Sequence, residues 1–101
     1  MLIVAGKAKF ETVEEMEKLL TAGQAMIAET HKEAGCQDYT YSRDITDDRT
    51  MRIWELWDDQ AALDFHFQTT HMSAFQAALG NAKLAEVSVK IYDVSGVRDL
   101  L

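Results

Sequence analysis

The run Met51-Arg52-Ile53-Trp54-Glu55-Leu56-Trp57 limits what this chain can fold into more than any other segment. β-Branched and aromatic residues suit it to a strand, and a strand sends alternate side chains to opposite faces. Met51, Ile53, Glu55 and Trp57 then share one face, and Arg52, Trp54 and Leu56 the other. Both faces are largely apolar, so both need cover. Helices can cover one face of such a sheet, and the other requires something else. The simplest cover is a second copy of the chain, sheet against sheet about a two-fold axis. A homodimer is therefore expected.

The flanking sequence supplies the remaining elements. Leu2 to Phe10 reads as a first strand. Thr12 followed by Glu15 has the spacing of a capping box, in which hydroxyl and carboxylate satisfy amides at a helix start. Val13, Met16, Leu19, Leu20, Gly23, Met26 and Ile27 then recur at helical spacing, with Gly35 as the expected C-terminal stop. Cys36 to Ile45 reads as a second strand, and the polar turn Thr46-Asp47-Asp48-Arg49 joins it to Met51–Trp57 as a hairpin. Asp58 or Asp59 caps a short helix, and Thr69 or Thr70 caps a second helical piece carrying Met72, Phe75, Ala78 and Leu79. Ala85 to Val94 alternates through Val87, Val89 and Ile91 as a fourth strand. Strand, helix, strand, strand, helix, strand is the βαββαβ order of a ferredoxin-like α+β sandwich. Its sheet is antiparallel and both helices lie on one face. With no proline, repeat or low-complexity tract, residues 1–101 read as one domain.

Composition narrows the partners. Ten basic against seventeen acidic residues give a net charge of −7, which argues against a phosphate-backbone partner and hence against nucleic acid. No apolar run is long enough to span a membrane, and the N-terminal Met-Leu-Ile-Val-Ala is too short for a signal-peptide core. A cytoplasmic protein is expected. Cys36 is the sole cysteine, so an internal disulfide and a cysteine-based metal cluster are both ruled out. Gly-rich phosphate loops, nucleophile elbows and dinucleotide fingerprints are missing, which leaves no cofactor to expect.

Chemistry concentrates between Trp54 and Leu79. His66 and His71 stand five apart, not at the i, i+4 spacing of paired zinc ligands, and no third ligand lies at a motif-like distance. A metal site is therefore not expected. A proton-transfer role suits an imidazole better, because it titrates near neutrality and an apolar wall can tune it. Trp57 reads either as core packing or as a pocket wall that orients a flat ring. Tyr39 and Tyr41 share a strand face and could direct hydroxyls into such a pocket. Glu55 is an acid among apolar neighbours and needs a partner, with Arg43, Arg52 or Arg98 of the partner subunit as candidates.

Glu33-Ala34-Gly35-Cys36, Tyr39, Ile53 through Asp59, Ala61-Ala62-Leu63, His66, and His71 through Phe75 occur in an order that resembles the antibiotic biosynthesis monooxygenase domain. The resemblance implies a dimeric α+β barrel of ferredoxin-like protomers. It also implies an oxygenase working without metal, flavin or haem on quinol-like or polyketide-like aromatics, with dioxygen as co-substrate. His66 or His71 would be the general base and Trp57 a pocket wall, with Tyr39, Tyr41, Ile53 and Phe75 as further expected substrate contacts. Ile53 stands where some members carry an asparagine. Two other readings remain open: an isomerase of small carbonyl compounds with the same fold, and a non-enzymatic dimer that binds a small apolar ligand.

Overall fold

The computed structural model describes residues 1–101 in the order β1 (Leu2–Phe10), α1 (Val13–Thr30), β2 (Cys36–Arg43), β3 (Thr50–Trp57), α2 (Gln60–His66), α3 (Thr70–Gly80) and β4 (Leu84–Asp93). The strands form one antiparallel sheet in the order β2-β3-β1-β4, which is the ferredoxin-like arrangement. The helices lie on one face, and α1 packs against α3. No helix is long and apolar enough to cross a membrane.

Local chemistry explains most boundaries. Thr12 caps α1, its hydroxyl accepting from the Glu15 amide, but the reciprocal half of the expected capping box does not form. The Glu15 carboxylate instead accepts from the Lys83 amide and thereby ties α1 to the turn before β4. Gly35 is not the stop of α1. The helix ends at Thr30 and tightens into i→i+3 bonds at Lys32 and Glu33. No residue has positive φ. Gly35 is needed for a different reason, because a Cβ there would collide with that of Ala62 on α2. Strand β2 stops at Arg43 rather than Ile45, since the Asp44 carboxylate captures the amide and hydroxyl of Thr46 and turns the chain. Asp59 caps α2 and Thr69 caps α3.

The face carrying Leu2, Val4, Ala8 and Phe10 of β1 and Met51 and Trp57 of β3 packs on Met16, Leu19 and Met26 of α1, and on Met72 and Phe75 of α3. Alternation along β3 follows the sequence: Met51, Glu55 and Trp57 are buried, whereas Arg52 and Trp54 are exposed on the opposite face. Strand β4 is left largely uncovered by the helices, with only Leu84 packed against the core. Val87, Val89 and Ile91 pair with Ala8, Gly6 and Val4 and share their face, yet they remain 40–57% exposed. The sheet's other face carries Trp54 and Tyr92, also uncovered.

Candidate active site

A cavity of about 270 Å³ opens between the uncovered part of this sheet and α3. Its walls are apolar: Val4, Met51 and Ile53 from the sheet, Met72 and Phe75 from α3, and Phe67 after α2. Two polar side chains from neighbouring strands enter it, Glu55 of β3 and Tyr41 of β2. Such a cavity, with a few converging polar groups, is the usual form of a small-molecule site.

Glu55 is the unusual group. It is 6% exposed, and its Oε1 accepts a 2.9 Å hydrogen bond from Nε1 of Trp57. Burial raises its carboxyl from the ordinary 4.5 to about 7. The hydrogen bonds from Trp57 and Tyr39 oppose that rise, and the charge of Glu33 adds to it. No arginine pairs with Glu55. Arg43 reaches across to Glu17 of α1, and Arg52 lies on the opposite sheet face with Asp44. A carboxyl held near neutrality in a dry cavity can give or take a proton under physiological conditions.

Tyr41 and Tyr39 share a 2.8 Å hydrogen bond between their hydroxyls. Burial pushes both phenols well above their ordinary range, so both stay protonated and act as neutral donors. Tyr39 and Trp57, at 1% and 0% exposure, do not line the cavity. They stand behind it in edge-to-face contact, with Trp57 fixing Glu55 and Tyr39 fixing Tyr41. Of the expected substrate-binding residues, Tyr41, Ile53 and Phe75 therefore form walls, and Tyr39 and Trp57 support them.

Neither His66 nor His71 lines the cavity. The His66 ring is fully buried, with its centroid 4.8 Å from that of Trp57 on one side and 5.3 Å from that of Tyr39. Its Nδ1 lies 2.8 Å from Oε2 of Glu33, and Nε2 of His71 lies 2.7 Å from the same oxygen. Burial lowers the His66 pKa more than Glu33 raises it, which keeps the ring neutral. His31 is elsewhere, its Nε2 bonded to the Tyr39 carbonyl. Sequence reasoning missed two participants. Glu33 is 33 residues from His66, a separation no short motif reports. Glu55 carries a visible signal, an acid on the apolar face of β3, but the ion pair that signal suggests does not form with Arg43 or Arg52.

The chain matches the antibiotic biosynthesis monooxygenase family over residues 1–78. An uncharacterised Synechocystis protein, sll1783, is 29% identical over 98% of this chain and 67% of its own length. YcnE of Bacillus subtilis is 30% identical over 63% of this chain and 67% of its own length. Among solved structures, a Deinococcus radiodurans protein superposes with a TM-score of 0.88 at 21% identity, covering 100% of this chain and 99% of that one. A Methanosarcina mazei protein superposes with a TM-score of 0.81 at 25% identity, covering 90% and 89%. With the sheet order, the helices on one face and the matched span in agreement, the chain belongs to the antibiotic biosynthesis monooxygenase family.

Proposed function

We propose that this protein is a monooxygenase that oxidises an electron-rich phenol or quinol with dioxygen and needs no cofactor of its own. The observation that carries this reading is the buried Glu55 carboxyl, raised to a pKa of about 7, which lines an apolar cavity together with Tyr41. The proton acceptor is Glu55 rather than either imidazole, because Glu55 is the titratable group that a bound ring would meet near neutral pH.

The chemistry balances without outside electrons. Glu55 takes the phenolic proton, and the phenolate delivers electrons to dioxygen. A C–O bond forms at an activated ring carbon that bears hydrogen. Loss of water from the resulting hydroperoxide leaves a quinone carbonyl, with one oxygen atom in the product and the other in water. The protein supplies the base, the orientation and the exclusion of water. Tyr41 donates to a ring oxygen, while Phe75 and Ile53 hold the ring plane.

The functional unit in this reading is a homodimer. Exposed Val87, Val89 and Ile91 on one face of the sheet, and Trp54 and Tyr92 on the other, give a second copy apolar surface to bury. Sedimentation at micromolar concentration should give twice the chain mass, and a single-chain mass would refute it.

Oxygen uptake with a panel of hydroquinones and naphthols tests the reaction. The expected result is one dioxygen consumed per quinone formed, with one 18O atom of labelled dioxygen in the product. No uptake across the panel would refute it. Product formed without dioxygen would instead assign the cavity to isomerisation, for which the same carboxyl could shuttle the proton.

A further inference from the structure

Glu33, His66 and His71 come from three separate segments: the turn after α1, the end of α2 and the first turn of α3. Their candidate ligand atoms all lie within 4.8 Å of one another. One carboxylate oxygen sits between two imidazole nitrogens at 2.8 and 2.7 Å. Oε2 of Glu33 thus holds both rings, while its second oxygen makes no hydrogen bond. That atom, Oε1, is buried without a hydrogen-bond partner on a side chain only 6% exposed. An orphaned, buried carboxylate oxygen is costly, and a cation held by both oxygens of Glu33 would satisfy it; Nε2 of His66 is likewise buried without a partner.

We propose that these three residues form a binding site for a late first-row divalent cation, with zinc as the fitting example. Two imidazoles and a carboxylate suit zinc, cobalt or nickel, whereas calcium and magnesium prefer an all-oxygen shell. Zinc sits ~2.0–2.2 Å from nitrogen or oxygen ligands, which places tetrahedral ligand atoms roughly 3.4 Å apart. The two nitrogen–oxygen separations need to open by roughly 0.6–0.7 Å to reach that spacing, and the candidate ligand atoms already lie within 4.8 Å of one another. His71, whose side chain is 20% exposed, has the freedom to make that adjustment.

Two surface clefts reach the cluster. Glu33 borders a cleft of about 520 Å³ between α1 and α2, and His71 borders another of about 260 Å³ between α1 and α3. Glu29 lies on both, paired at 3.0 Å with Lys32, which also borders the larger cleft. The ion would leave a coordination position for water there, and it would fasten the turn after α1 to α2 and α3. None of the three ligands reaches the substrate cavity, so this proposal stands or falls independently of the oxygenase reading.

The test is calorimetric titration of chelator-treated full-length protein with Zn2+, with Co2+ as an optical probe. The expected result is one ion per chain, visible cobalt absorption of a four- or five-coordinate site, and a higher unfolding temperature. His71→Ala and Glu33→Gln should each weaken binding at least about tenfold, and His31→Gln should leave it unchanged. If Glu33→Gln does not fold, His71→Ala decides alone. No saturable binding, or affinity unchanged in His71→Ala, overturns the proposal, as does an equal loss in His31→Gln.

Discussion

Replacing Glu55 by glutamine should alter stability in a way that depends on pH with a defined sign. The wild-type carboxyl lies near 7 in the folded protein and near its ordinary 4.5 when unfolded. Between those values the folded chain holds the proton that the unfolded chain has released, so stability falls as pH rises. The loss is complete above about 7 and absent below 4.5. At ~1.4 kcal/mol per pH unit it amounts to about 3 kcal/mol. Glutamine can still accept from Nε1 of Trp57 but never ionises. Its amide group costs about 1 kcal/mol at every pH if it finds no partner. Glu55→Gln should therefore be neutral or slightly destabilising at pH 4 and stabilising at pH 8. With a urea m-value of ~1.5 kcal/mol/M, the midpoint difference between variant and wild type should move by about 2 M between the two pH values. Both proteins must be compared at one concentration, because dimerisation would add a mass-action contribution. The same midpoint difference at pH 4 and pH 8 would refute the claim that burial holds this carboxyl near neutrality.

Three further outcomes follow from the geometry. Gly6→Ala should destabilise by about 3 kcal/mol or more by thermal unfolding, because a Cβ there would meet the Ser88 carbonyl and come within 2.6 Å of Val89 Cα. Thr69→Ala should cost about 1 kcal/mol in urea, since it removes the 3.2 Å cap on the Met72 amide at the start of α3. Cys36, pushed up to about 11 by burial and by the charges of Glu33, Glu55 and Asp38, should react with a disulfide reagent at pH 8 far more slowly than the same thiol in urea.

Much of the fold was written locally. The two-faced strand Met51–Trp57, the Thr12 cap and the alternation of Val87, Val89 and Ile91 are short-range patterns, and each formed the expected element. Errors arose where a side chain found a distant partner instead of a near one. Glu15 was expected to complete its own capping box but bonds the Lys83 amide, 68 residues on. Gly35 looked like a helix stop, but its role is set by Ala62 across the packing interface. The site was less legible for the same reason. His66 and His71 were visible as candidate bases, but their shared partner Glu33 is visible only once three segments meet. Glu55 was visible as an acid on an apolar face. That it keeps its proton near neutrality, with an indole rather than an arginine beside it, depends on burial that sequence does not report.

The central claim is that Glu55 takes the substrate's proton before dioxygen is reduced. Oxygen uptake at pH 7.5 with the best quinol found for the wild type, repeated with Glu55→Gln, tests it most directly. The account predicts that kcat falls by a factor of about 10²–10⁴ in Glu55→Gln, while His71→Ala keeps near-wild-type turnover. Undiminished uptake in Glu55→Gln, or loss confined to His71→Ala, would contradict it.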